Sequence, residues 1–228
     1  MKRRVYIIGA GGVGSWLTPS LCLLIGPGQV AVMDGDKLEE GNLNRQLFTK
    51  GNIGRNKALA LAEKYSCGGM PYFYSTDIVQ HEPTDFVICC GDNHPVRREI
   101  LETADSYQCH AIIACNETHS AEALYYNHVW KGSDLDPRVY YPEIQTSDTG
   151  DPRRARIGCT GTAQEQTPQL VSANFMAAAL AQHLFVLWAM EAEKLDQETF
   201  KALPFRLNAN LSSLTCVKCG DVTKNKNV

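Results

Sequence analysis

Residues 5–14 read Val-Tyr-Ile-Ile-Gly-Ala-Gly-Gly-Val-Gly, and the order of chemistry in that string decides the fold. Residues 4–8 are a short β-rich apolar run, Gly9, Gly11 and Gly14 follow at once, and residues 13–25 carry a helix-compatible apolar pattern. In a strand–turn–helix context the first glycine permits a tight turn, the second lets backbone approach a phosphate, and the third lets the helix pack closely on the strand. The amides that open the helix then point at anionic oxygens, which the positive end of the helix favours. Gly26-Pro27-Gly28 breaks the helix, and residues 29–33 read as a second, parallel strand ending at Asp34. An acid at that position can accept hydrogen bonds from both hydroxyls of a ribose; otherwise it is an ordinary loop acid.

Outward from this βαβ unit the alternation continues. Residues 52–65 predict a helix, 70–75 a strand after a Gly-Gly turn, 85–90 a central strand with unbroken apolarity, 95–106 a helix and 109–115 another strand. The sum is an α/β chain with a Rossmann-like, doubly wound, mostly parallel sheet and helices on both faces. After Ser120 the pattern changes. We divide the chain into a nucleotide-binding core at residues 1–132, a crossover or lid rich in turn formers and charge at 133–169, and a C-terminal helix and strand at 170–228 that complete the same domain. The most apolar stretch, 170–190, is interrupted by Ser172, Asn174, Gln182 and His183, which suits a buried helix or a homodimer contact better than a membrane span.

Composition narrows the function classes. A net charge of −3 and a pI near 6.1 give no electrostatic footprint for nucleic acid. The basic start MKRR is followed by an apolar run that breaks into glycines where a secretory segment would continue, so a cytoplasmic protein is expected. Of nine cysteines, Cys22, Cys89, Cys90, Cys109 and Cys115 fall in apolar segments as small hydrophobes. Cys159, Cys216 and Cys219 do not.

The string DGDKLEEGNLNRQLFTKGNIGRNK, residues 34–57, then changes the chemistry. It places Asn42, Arg45, Gln46 and Lys57 beyond the ribose acid, close to where phosphates would lie. A dehydrogenase leaves its cofactor's phosphates intact and has no duty for these cations, whereas an enzyme that breaks a phosphoanhydride must neutralise charge that shifts in the transition state. As a bland alternative Arg45 and Lys57 are a solvated surface pair. Asp92, just past the C-terminal end of a parallel strand, lies on the ligand side of the sheet, where it holds Mg²⁺ between phosphate oxygens or caps the helix that Pro95 opens.

Taken together, GAGGVGS, Asp34, GNLNRQ, IGRNK and GDN resemble the ThiF/MoeB/HesA-type family of adenylating enzymes, which includes the ubiquitin-activating enzymes and the bacterial enzymes that activate sulfur-carrier proteins. The resemblance is specific over residues 5–93 and looser to Cys219; the polar 133–166 segment is similar to relatives from bacterial ubiquitin-like systems. It implies ATP-dependent adenylation of the C-terminal glycine of a ubiquitin-like or sulfur-carrier protein, with release of pyrophosphate. Gly9, Gly11, Gly12 and Gly14 would then cradle ATP, Asp34 and Asp36 would meet its ribose end, Asn42, Arg45, Gln46 and Lys57 its phosphates, and Asp92 would hold Mg²⁺. Arg45, Lys57 and Asp92 carry the catalytic roles. Some relatives follow adenylation with attack by their own cysteine, for which Cys159 is the candidate; a structural thiol is the alternative. The family also implies a homodimer.

The chain departs from the family in two respects. Relatives of this size commonly place an arginine on a leading helix, and here only Arg3 and Arg4 precede the first strand. Two CxxC pairs commonly hold zinc, but Cys216 and Cys219 form only the second pair, half of a tetrahedral site, so structural Zn²⁺ is not expected. An NAD(P)-dependent Rossmann oxidoreductase and a non-catalytic scaffold that binds a ubiquitin-like protein are the competing functions.

Overall fold

The structure, a computed structural model, describes residues 3–146, 170–191, 203–213 and 215–219. In chain order they form β1 (Val5–Ile8), α1 (Gly12–Ile25), β2 (Val30–Met33), α2 (Lys57–Tyr65), β3 (Gly68–Met70), β4 (Phe86–Cys89), α3 (His94–Tyr107), β5 (His110–Asn116), β6 (Ser120–Asn127), α4 (Pro137–Tyr140), α5 (Glu143–Thr146), α6 (Val171–Phe185), β7 (Arg206–Asn210) and β8 (Thr215–Cys219). All strands join one sheet in the order β3-β2-β1-β4-β5-β6-β7-β8. The first five pair in parallel, with Val5 opposite both Val30 and Phe86, and β6, β7 and β8 continue antiparallel. The expected doubly wound sheet is present, with an antiparallel extension.

Period-two alternation along β1 divides the core. Val5 and Ile7 pack with Leu17 and Leu21 of α1 and with Leu184 and Phe185 of α6. Tyr6 and Ile8 pack on the opposite face with Ile100 and Leu101 of α3. Each strand residue is thereby committed to one helical layer, which fixes the register.

Several boundaries differ from the sequence reading for identifiable reasons. The strand expected over 70–75 is Gly68–Met70, because Gly68-Gly69 is not a turn: a methyl on Gly69 would stand 2.6 Å from the Ala62 Cβ, so helix α2 lies directly on this strand. The helix expected from 52 begins at Lys57, where the Asn56 side chain accepts the Leu59 N–H at 3.0 Å and caps it. Residues 120–127, where the alternation of the sequence gives way, are the buried strand β6 in a hairpin with β5. Within the expected lid, residues 137–146 hold α4 and α5, and buried Arg138 ties α4 to Asp136 and Asp105 at 2.9 Å each. Residues 147–169, including Cys159, lie outside the described residues.

Helix α6 turns Ala173, Asn174, Ala177, Ala178 and Ala181 inward against α1 and the sheet, then continues as a π-helical stretch to Glu191. By length and composition Val171–Met190 could cross a membrane; half of it is buried inside the fold. Leu170, Val171 and Phe175, at its start, are exposed.

Candidate nucleotide site

The glycines do distinct jobs. Gly9 has φ +97°, and a methyl on it would stand 3.2 Å from the Cys90 carbonyl carbon and the Gly91 nitrogen, so the chain turns left-handed there against the end of β4. Gly14 is packed still harder, since its Cβ would lie 1.9 Å from the Gly9 carbonyl oxygen. Helix α1 therefore starts tight against the end of β1. Its first turn has no acidic residue and its N-cap, Gly11, makes no side-chain cap, so the free amides and the positive helix end are left uncompensated.

Asp34 closes the turn from the neighbouring strand. One carboxylate oxygen accepts the Ala10 N–H at 2.7 Å and the other the Asp36 N–H at 2.8 Å. Each oxygen retains acceptor capacity for a ribose hydroxyl. Burial pushes the Asp34 carboxyl above its ordinary value of 3.8, although the Lys57 charge and the two amides pull the other way. Asn56 braces the same segment, its amide donating to the carbonyls of Asp34 at 2.7 Å and Asp36 at 3.1 Å.

Lys57, at the first turn of α2, is 7% exposed, and its Nζ lies 3.1 Å from an Asp36 carboxylate oxygen. The alternative of a solvated surface lysine therefore does not hold for Lys57, which is buried and aimed at the acids after β2. Residues 40–48 are laid over the start of α1: Ser15 Oγ accepts the Leu47 N–H at 3.0 Å and the Trp16 indole donates to the Arg45 carbonyl at 3.3 Å. This lodges Gln46, 8% exposed, with its Nε2 3.8 Å from the place of a Cβ on Gly11. The side chains of Arg45 and Asn42 stay within their own loop, Arg45 donating to the Gly41 carbonyl at 2.8 Å and Asn42 accepting the Glu39 N–H at 3.1 Å.

Asp92 is exposed just beyond β4, next to the Gly91 against which Gly9 turns. It does not cap α3. That is done by Asn93, whose side chain accepts the Val96 N–H at 3.0 Å, so the capping alternative for Asp92 is corrected. A Mg²⁺ ion bound mainly through substrate phosphates needs only one or two protein carboxylates, and Asp92 is free of structural duty to be one. Among the described residues no group of three or more His, Cys, Asp or Glu is placed to hold a metal. The backbone of β8 sets Cys216 opposite Ala209 and Cys219 opposite Arg206.

Glycine turn, Asp34, Lys57, Gln46 and Asp92 thus gather at the C-terminal ends of the parallel strands, where open α/β sheets bind ligands. Sequence reasoning missed the residues that set these in place: Ser15, Trp16, Asn56 and Asn174, whose side chain lies against Gly12. Of these, Ser15 and Asn56 stand inside the quoted motifs and were legible as loop anchors; Asn174 carried no signal beyond a polar break in an apolar helix.

Residues 1–67 match the ThiF family. The ATP-dependent ubiquitin transferase-like protein Cap2 of Enterobacter hormaechei is 43% identical over 62 residues, which are 27% of this chain and 10% of that protein. The sulfur carrier protein adenylyltransferase of Thermus thermophilus is 25% identical over 96% of this chain and 83% of its own length. Among solved structures, MccB of E. coli with MccA-N7isoAsn superposes with a TM-score of 0.67 at 17% identity, over 94% of this chain and 63% of MccB. The chain therefore spans a small part of some of these relatives and most of another.

Proposed function

We propose that this chain, a member of the ThiF family, is an ATP-dependent adenylyltransferase that activates the C-terminal glycine carboxylate of a ubiquitin-like or sulfur-carrier protein. The observation that carries the reading is the meeting of uncompensated α1 amides with Asp34 and buried Lys57 at the C-terminal ends of β1 and β2. An oxidoreductase has no task for Lys57 or for the Arg45 loop beside phosphates that stay intact.

In the proposed reaction a carboxylate oxygen of the carrier attacks the α-phosphorus of ATP. The bond from that phosphorus to the bridging oxygen breaks, and pyrophosphate leaves with the electron pair. The nucleophile is already ionised, so no general base is needed and the protein has only to align and neutralise two anions. The α1 amides and Gln46 would hold phosphate oxygens, Asp34 the ribose, and Lys57 and Arg45 the charge that develops toward pyrophosphate. Arg45 would exchange its loop carbonyl for phosphate, a small rotation of an exposed guanidinium. Mg²⁺, held by Asp92, would supply further charge neutralisation on the phosphates.

ATP–pyrophosphate exchange with small proteins ending in glycine is the test: exchange that depends on one such protein supports the reading, and none with any of them, alongside nicotinamide-dependent absorbance change, would replace it. A thioester on Cys159 is the proposed second step; intact mass showing no thiol-sensitive adduct with an adenylated carrier would remove it. The protein is also proposed to pair with a second copy through the exposed start of α6, which sedimentation giving a monomer mass at high concentration would refute.

A further inference from the structure

Helix α6 brings one polar side chain to the glycine turn. Asn174 has no exposed surface, and neither its Oδ1 nor its Nδ2 has a hydrogen-bond partner. Its inward neighbours Ala173, Ala177, Ala178 and Ala181 are small and apolar, as a helix packed closely on α1 requires. An apolar residue would fill the position without cost, whereas an unsatisfied buried carboxamide lowers stability. The side chain lies against the first residue of α1: a methyl on Gly12 would stand 2.4 Å from its Oδ1 and 2.7 Å from its Nδ2.

A second carboxamide reaches the neighbouring glycine from the 40–48 loop. Gln46 is 8% exposed and its Oε1 also lacks a partner, while its Nε2 lies beside Gly11. Two carboxamides from elements far apart in sequence thus flank two consecutive glycines at the start of a 14-residue helix whose amides are uncompensated. A carboxamide has two N–H donors, and a phosphate oxygen is an acceptor only. Of the unpartnered atoms, the Asn174 Nδ2 donor is the one that an anion drawn to this helix end would satisfy, while Gln46 can present its own Nε2 beside Gly11.

We propose that Asn174 is a phosphate-binding residue, donating from Nδ2 to the nucleotide's phosphate chain where it rests on the start of α1. This rests on the nucleotide reading above and adds to it a contact from the C-terminal part of the chain. The bound phosphate then joins α6 to the glycine turn, so occupancy is felt in the helix that packs on β5 and β6 as well as in the parallel half of the sheet.

The test compares the parent with Asn174→Ala, Asn174→Leu and Asn174→Asp, by calorimetric titration with ATP and by thermal melting without ligand. Expected is an ATP affinity lower by about tenfold or more in Asn174→Ala and Asn174→Leu, the scale of one hydrogen bond to a charged group. Asn174→Asp should lose more, because it sets a carboxylate against phosphate. The free Asn174→Leu protein should melt at or above the parent temperature, since it sheds an unsatisfied amide. Unchanged ATP affinity in all three variants overturns the assignment and leaves the nucleotide reading standing. A loss of affinity accompanied by a lowered melting temperature of the free Ala and Leu variants also overturns it, assigning Asn174 to packing. If the parent itself binds no ATP, the nucleotide reading fails first and this contact with it.

Discussion

The Ala10 amide donates to Asp34 across 2.7 Å, so the glycine turn after β1 is stapled to the end of β2 by the acid expected to bind ribose. One side chain therefore serves both the shape of the site and its ligand, and changing it affects both.

Replacing Asp34 separates these effects by pH. Its carboxyl titrates above 3.8 in the folded protein because burial disfavours the charge. A raised folded value means that its contribution to stability is fully present below the unfolded value and is lost as pH rises through the folded one. Relative to Asp34→Asn, which cannot ionise, the parent should become less stable as pH is raised above about 3.8. Asp34→Ala should in addition weaken ATP binding. Parallel melting-temperature profiles of parent and Asp34→Asn would remove the pH argument, and equal nucleotide affinity the ribose role.

Arg45 and Lys57 should behave alike in catalysis. Arg45→Ala removes an exposed guanidinium that bonds only its own loop, and Lys57→Met keeps most of the buried stem while freeing a half-exposed Asp36. Both variants should melt near the parent yet show pyrophosphate exchange slower by about 100-fold, the scale of a lost transition-state contact. Parent-like exchange in both would end the phosphate-clamp assignment.

Neighbouring Asp92 and Asn93 should separate cleanly. Asp92→Asn should shift the magnesium titration of activity and leave the melting temperature alone. Asn93→Ala should cost about 1 kcal/mol through the lost α3 cap and leave the magnesium dependence unchanged. Superimposable magnesium curves for Asp92→Asn and the parent would deny Asp92 the metal.

At the glycine turn, crowding by side chain and crowding by backbone predict different couplings. Gly12→Ala meets the Asn174 side chain, so Gly12→Ala/Asn174→Ala should recover stability, with a coupling of about 1–3 kcal/mol in the double-mutant cycle. Gly14→Ala meets the Gly9 carbonyl, which no side-chain change relieves, and Asn174→Ala should not rescue it. Additive melting shifts for the Gly12 pair would contradict the packing described.

What could be read from the sequence was what is local. Gly9, Gly11 and Gly14 announce the turn because their spacing alone encodes it, and Asp34 follows from where β2 stops. Errors arose where two local meanings compete and a distant element decides. Gly68-Gly69 reads as a turn until α2 is seen lying on it, and Asp92 and Asn93 are equally good caps until the helix start is fixed. For Lys57 the solvated alternative stays open in the sequence because nothing local shows that Asp36 and the start of α2 enclose it. Asn174 meets Gly12 only through the packing of the last long helix on the first, which no spacing records.

The hairpin between β5 and β6 places residues 117–119 on the same rim as the glycine turn, and residue 211, just past β7, joins them there through the Leu211 N–H to the His119 carbonyl at 2.7 Å. Hairpin tips accept insertions and substitutions without re-threading a crossover, whereas the turn across the rim tolerates not even a methyl at Gly14. The rim is thereby split into a half sterically closed to any added side chain and a half of hairpin tips that can lengthen or change without disturbing it.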